Sequence, residues 1–412
     1  MYPLLAGMRI VECASFIAAP SCALQLQQLG AEVIRIDPIG GGPDFHRWPL
    51  SAAGSSYYWE GLNKGKRSIA IDFSRPEGRR LALELITAPG RDGGILVTNF
   101  PKDGFLSHEA LRKQREDLIT VRVMGWSDGG SGVDYTVNAA LGLPWMTGEP
   151  EPGARPVNHV LPAWDLLTGA YAAFATLAAE RERLRSGRGH EVTIALSDVA
   201  LTALGHTGQI AEVLAGGDRP RFGNAVFGAF GRDFTSADGR RVMVVAITPR
   251  QWTGLVQALQ LDARIAGLEA ERRVAFDRDE GQRFIHREAL FPIFEQAIGA
   301  LGFDELARRF EAHGVCWSLY RTLGQALRED PRFALAAPLF DELDHPSGER
   351  YPAPGAPANF VGMARAPVVR APRLGEHTDA VLADLLSLSP ARIAELHDAG
   401  LVAGPGPTPS ND

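Results

Sequence analysis

Apolar positions along the chain fall first into a short run over 8–13, a helical stretch around 23–29 and a second run over 32–37. Strand, helix and strand within about 30 residues predict a parallel βαβ unit with a right-handed crossover. Further short runs over 69–73, 94–97, 118–124 and 191–195 predict more strands, with a helix over 77–86 between the first two. In 156–180 the apolar residues Leu166, Leu167, Ala170, Ala173, Phe174 and Leu177 recur at helical spacing behind Pro162, which suits a pre-helix or first-turn position. Asp165 therefore falls in or just before the first turn.

Residues 181–189 are expected to form a charged turn, and 198–214 a long helix that ends near Gly216-Gly217-Asp218-Arg219-Pro220, where a boundary is expected. Beyond it come a strand over 239–247, helices over 249–259, 283–301 and 303–313, a Pro-rich extended connection over 351–372 and a loose tail over 404–412. This order predicts an α/β protein. A Rossmann-like large domain on a parallel sheet spans 1–220, a smaller α+β domain spans 221–330, and 331–412 returns to the large domain.

At 412 residues, with 45% apolar and 22% charged residues, the chain has an ordinary globular composition, which excludes general disorder. A net charge of -7 and no basic run longer than Lys64-Gly65-Lys66-Arg67 argue against a nucleic-acid partner. Cys13, Cys22 and Cys316 have neither zinc nor disulfide spacing, so no metal is expected and a reducing cytoplasm is the expected setting. The first residues lack a secretory signal pattern, and no apolar run reaches about 18 residues, so no membrane partner is expected.

Among residues that carry chemistry, Asp165 stands out. A helix start offers free N–H groups and a partial positive charge, which hold a carboxylate ionised and favour any oxyanion formed beside it; the same placement also suits a plain N-cap. The turn over 14–20 lacks G-x-G-x-x-G, so no dinucleotide cofactor is expected. In Asn63-Lys64-Gly65-Lys66-Arg67-Ser68, a glycine between cations lets backbone N–H groups and charged heads approach a phosphate together, although a solvated charged turn would read the same way. Asn99 and Phe100 close the 94–97 strand, where ligands of doubly wound sheets gather. His159, a lone loop histidine before Asp165, suits a hydrogen-bonded structural role more than a base.

Several of these segments together resemble the class III CoA-transferases. The opening matches that family's pattern at Leu5, Gly7, Arg9, Val11, Glu12, Ala18, Pro20, the run 29–31 and the run 33–37; Asp165, Gly169, Ala172 and Ala173 match its D-x-x-x-G-x-x-A-A segment; and 370–378 matches its A-P-x-L-G-E-H-T tail, with His377 read as structural. The resemblance implies that Asp165 is the nucleophile that becomes acylated. It also implies that CoA, arriving as part of an acyl-CoA substrate and not as a resident cofactor, is held by Arg35, Lys64, Lys66, Arg67, Asn99 and Phe100. Ile17 stands where formyl-CoA transferases have Gln, which implies a different acyl group. Val133 stands where the racemase branch has its catalytic His, so racemisation by that route is not expected.

A closer likeness within the family, over 37–42, 61–67, 133–138, 158–165 and 228–234, implies an internal shift of CoA from C1 to C4 of mesaconate. Transfer to a separate acid is the alternative. Gly228 and Gly231 are expected to cover the thioester, although the phenylalanines around them suit core packing equally. Arg47 or Arg232 is expected to pair the spare carboxylate. The family likeness further implies an interlocked homodimer.

Overall fold

Apolar strands buried on both faces need helices on both sides, and the main sheet meets that demand. The computed structural model describes residues 1–333 and 339–406. Its main sheet holds β1 (Arg9–Cys13), β2 (Glu32–Asp37), β3 (Arg67–Ile71), β4 (Ile95–Thr98), β5 (Ile119–Met124) and β6 (Glu191–Ala195), with the short β12 (Val402–Ala403) at one edge. The strand order is β12-β3-β2-β1-β4-β5-β6. All neighbours pair in parallel except β12, which runs antiparallel to β3. Chain order reverses between β1 and β4, which is where doubly wound sheets open a crevice at the carboxyl ends of their strands.

Successive residues of each strand serve opposite layers. Ile10, Val33, Val97 and Val121 pack with the helices α1 (Ala18–Gln28) and, further along, Ala163–Ser186, whereas Val11, Ile34 and Leu96 pack on the other side with Leu81, Leu85 and Val381. The helix α1 starts at Ala18 rather than near residue 23, because Pro20 sits in its first turn, where a missing N–H costs nothing. The short helix α2 (Asp134–Ala140) precedes α3 (Ala163–Ser186), which also runs further than the sequence suggests. Residues 181–186, expected as a turn, stay helical because Arg183 is buried and donates to the carbonyls of Gly93, Gly94 and Asp117; Gly187, at φ +71°, then ends the helix. The helix expected over 198–214 is broken into α4 (Leu196–His206) and α5 (Gln209–Gly216), with Gly208 at φ +78° between them.

The chain divides into two compact units, one of Met1–Leu141, His159–Ala211 and Leu335–Asp412, the other of Gly142–Asn158 and Glu212–Ala334. The stretch 142–158, expected in the large domain, thus belongs to the second unit. That unit carries the antiparallel sheet β7 (Phe230–Thr235), β8 (Arg241–Ala246) and β9 (Cys316–Leu319), over a core that includes Phe230, Phe234, Trp252, Phe276 and Phe294. In the first unit, β10 (Phe340–Asp344) and β11 (Arg350–Pro354) form a hairpin, so the start of the expected extended connection is a paired strand. Residues 407–412 of the expected tail lie outside the described residues.

Candidate active site

A cavity of about 860 Å³ opens at the reversal point of the main sheet, and its lining belongs wholly to the first unit. Ser15, Phe16, Ile17 and Ala18 follow β1, Asn99 to Lys102 follow β4, the glycine-rich 125–132 follows β5, and Leu196 follows β6. Asp165, Asp134, Arg47 and Tyr58 bring further charge and hydroxyl groups to the wall. The volume lies in the range that takes a cofactor-sized ligand.

Asp165 is the third residue of α3, and the residue that caps the helix by position is Pro162, so Asp165 is not an N-cap. The capping role falls to Asp134, a buried carboxylate of α2. Its Oδ2 accepts the N–H groups of Trp164 (2.7 Å) and Asp165 (3.1 Å), while its Oδ1 meets His159 Nε2 at 2.5 Å. Asn138, one turn further along α2, accepts Trp164 Nε1 at 3.1 Å, so two residues of one helix face pin the start of α3. His159 thereby takes a hydrogen-bonded place against Asp134, between the rings of Tyr135 and Trp164.

The expectation that the helix start holds Asp165 ionised is corrected by this arrangement. Burial pushes its carboxyl up to about 7, the charge of Asp134 adds to the effect, and Arg47 opposes it. The N–H groups that would have stabilised the anion are spent on Asp134. The start of α1, by contrast, has no side-chain cap among the described residues, and its Ile17 and Ala18 line the cavity. Gly169, one turn after Asp165, brings α3 against this point: a Cβ there would stand 2.7 Å from Ala18 O.

Four of the six residues expected to hold CoA are placed elsewhere. Arg35 is fully buried and engaged by Glu12 (3.0 Å), Asp37 (2.9 Å) and Asp44 (3.0 Å). Lys66 is likewise buried, at 2.6 Å from Glu12, and Lys64 donates to Gly61 O, with burial pulling its ammonium down to about 8. None of the three lines the cavity; they are fold elements, and Asp44 in turn accepts the N–H of Phe16, which is held at φ +70° at the cavity rim. Arg67 sits near the amino end of β3, paired with Glu32 and Asp384, away from the carboxyl ends where the cavity lies.

Asn99 and Phe100 do line the cavity, and Asn99 spends its amide on Ser15, accepting its N–H and donating to its carbonyl. Ile17 and Arg47 line it as well. Gly228, Gly231 and Arg232 belong to the second unit. There a Cβ at Gly231 would stand 3.0 Å from Val244 O, and the Arg232 guanidinium lies over Phe234 and Phe291, at 3.8 Å from Glu295. Local packing accounts for both.

The sequence reading missed Asp134, Tyr58 and Lys102. Lys102 follows Asn99-Phe100-Pro101 and lines the cavity, and its place just past a strand end was the available signal. The thiols of Cys13 and Cys22 are buried and pushed up by burial, and neither lines the cavity. Among the described residues no helix is long and apolar enough to cross a membrane.

CoA-transferase family III matches residues 5–378. The chain is 49% identical over 407 residues to 2-methylfumaryl-CoA isomerase of Chloroflexus aurantiacus, covering 98% of this chain and 99% of that protein. It is 25% identical over 411 residues to human succinyl-CoA:glutarate CoA-transferase, covering 97% and 90%. Among solved structures, a CAIB/BAIF family protein from Brucella suis superposes with a TM-score of 0.73 at 27% identity, covering 92% of this chain and 99% of that one. With that family matched over nearly the whole chain and its fold shared, this protein is an enzyme of the class III CoA-transferase family.

Proposed function

We propose that this enzyme moves CoA within one molecule, converting 2-methylfumaryl-CoA (mesaconyl-C1-CoA) into 3-methylfumaryl-CoA (mesaconyl-C4-CoA). The observation that carries the proposal is Asp165, a cavity carboxylate with no hydrogen-bond partner of its own among the described residues, in a chain 49% identical throughout to an isomerase of that substrate.

In its ionised form Asp165 attacks the C1 thioester carbonyl; the C–S bond breaks, and a mixed anhydride and CoA thiolate result. The thiolate attacks the aspartyl carbonyl of the anhydride, giving an aspartyl-CoA thioester and free mesaconate. Its C4 carboxylate attacks that thioester, regenerating thiolate and forming the second anhydride. The thiolate then takes the C4 carbonyl and frees Asp165. Thiolates leave readily, so no step calls for a strong general acid. Each tetrahedral oxyanion needs donors, and the uncapped start of α1 supplies N–H groups where Ile17 and Ala18 meet the cavity. No resident cofactor enters, because CoA arrives with the substrate.

The working form on this reading is an interlocked homodimer in the cytoplasm. Leu167, Tyr171 and Phe174 recur along α3 and are 42, 51 and 64% exposed, an apolar stripe that a second copy would cover.

Incubation with mesaconyl-C1-CoA and isotopically labelled free mesaconate tests the proposal by mass spectrometry. The expected product is unlabelled mesaconyl-C4-CoA. Label in either thioester would instead favour the intermolecular reaction, and absence of both a C4 thioester and label in any thioester would reject both.

A further inference from the structure

Beside Asp165 the cavity wall holds two polar side chains without a hydrogen-bond partner among the described residues. The guanidinium of Arg47 lies over the rings of Phe16 and Tyr58, at 5.6 and 5.4 Å from their centroids, and among the described residues it has no ion-pair or hydrogen-bond partner. The other cations of the wall differ in this respect or in place. Arg122 is spent on Glu191 and on three carbonyls, and Lys102 follows the end of β4. The hydroxyl of Tyr58 is buried, lacks a hydrogen-bond partner among the described residues, and belongs to the same wall. Burial pushes this phenol well above its ordinary range, so it stays a neutral donor at any working pH. Both groups feel the charge of Asp165.

A buried hydroxyl without a partner forfeits hydrogen-bond energy, and an unpaired guanidinium stacked on two rings is oriented but unsatisfied. One anion of the right shape relieves both. A carboxylate accepts two parallel N–H bonds from a guanidinium and retains lone pairs for a phenol. We infer that Arg47 and Tyr58 form a carboxylate subsite, which holds whichever carboxyl group of a dicarboxylyl substrate is not reacting at Asp165. The inference rests on the dicarboxylate reading above and adds to it the residues that tell diacid from monoacid thioesters. It also supplies a means of retention: the released diacid keeps one end anchored while the other is presented, and the two ends exchange places between the half-reactions.

Unreactive thioethers of CoA test this by calorimetry, since they differ only at the acyl end. Wild-type enzyme is expected to bind 3-carboxypropyl-CoA about 10-fold or more tightly than butyl-CoA. Arg47→Gln and Tyr58→Phe are each expected to bring that preference close to parity while binding butyl-CoA within about twofold of wild type, which also reports that the cavity remains formed. A full preference retained in both variants overturns the subsite and leaves the dicarboxylate reading standing. No preference in the wild-type enzyme removes that reading and the subsite with it.

Discussion

Replacing Asp165 by Asn removes a charge that the fold bears at a cost, and the size of that cost depends on pH in a way the structure specifies. The carboxyl is pushed from 3.8 to about 7, first by burial and then by Asp134. Because the folded-state value lies above the unfolded one, the folded protein keeps a proton that the unfolded chain releases between about pH 4 and pH 7. Stability is therefore whole below that window, falls as pH rises through it and is level above it. At about 1.4 kcal/mol for each pH unit separating the two values, the full loss is about 4 kcal/mol. An amide never ionises, so the Asn variant avoids the loss.

Thermal unfolding of both proteins between pH 5 and pH 8.5 measures the difference. The variant is expected to melt higher than wild type, with an advantage that grows by roughly 2–3 kcal/mol across the range, about 3 °C for a chain of 412 residues. The same variant is expected to lose turnover, since an amide is a poor nucleophile. An advantage that stays constant with pH, or is absent at pH 8, would refute the reasoning that the fold bears the burial of this charge at a cost.

The remaining predictions concern the same neighbourhood. Since attack requires the carboxylate, kcat/KM is expected to rise with pH to a plateau, with a midpoint near the about 7 of Asp165; a midpoint near 4 contradicts a buried nucleophile. Asp134→Asn removes the charge that raises Asp165 and loosens the start of α3, so the midpoint of that profile is expected to move down and kcat to fall about 10-fold or more, both read from one set of initial rates. Gly169→Ala puts a Cβ 2.7 Å from Ala18 O, a backbone atom that cannot swing aside, and is expected to cost about 1–3 kcal/mol in urea unfolding together with a loss of activity. Glu12→Gln leaves Arg35 and Lys66 short of a shared counter-charge in a dry interior, and the same unfolding experiment is expected to show a loss of about 3–5 kcal/mol.

What the sequence made legible, and what it hid, divides along the distance over which a residue's role is decided. The strands of the main sheet were readable because both faces are buried, so neighbours such as Ile10 and Val11 or Val33 and Ile34 are apolar together. The place of Asp165 was readable because Pro162 and the spacing of Leu166, Ala170 and Ala173 are local. Arg35 and Lys66 were misassigned because a charge in a linear pattern counts as surface until its partners are known, and Glu12, Asp37 and Asp44 converge on them only in the fold. The raised carboxyl of Asp165 comes first from burial and then from Asp134, 31 residues earlier, and nothing local announces either. Residues 142–158 are rich in Pro and Gly, which marks them as a connection but does not say which unit they join. The charges of 181–186 looked like a turn, although Arg183 reaches inward to three carbonyls.

One contact explains how a single carboxylate would suffice on the proposed reading. Asp165 and Gly169 lie a turn apart on one face of α3, so the close approach that Gly169 permits at Ala18 directs the same face toward the first turn of α1. Among the described residues that first turn has no side-chain cap, whereas the start of α3 is capped by Asp134. On the proposed reading, donors are therefore withheld from Asp165 and, among the described residues, left uncapped at the adjacent helix, where an oxyanion would form. A donor bound to Asp165 would stabilise the ground state and slow attack; one reserved for the oxyanion acts only as the tetrahedral intermediate is approached. The raised acidity value of Asp165 is the ground-state side of that arrangement. The buried Glu12, Arg35 and Asp44 cluster holds its other side in place, through the Phe16 N–H that Asp44 accepts immediately before α1.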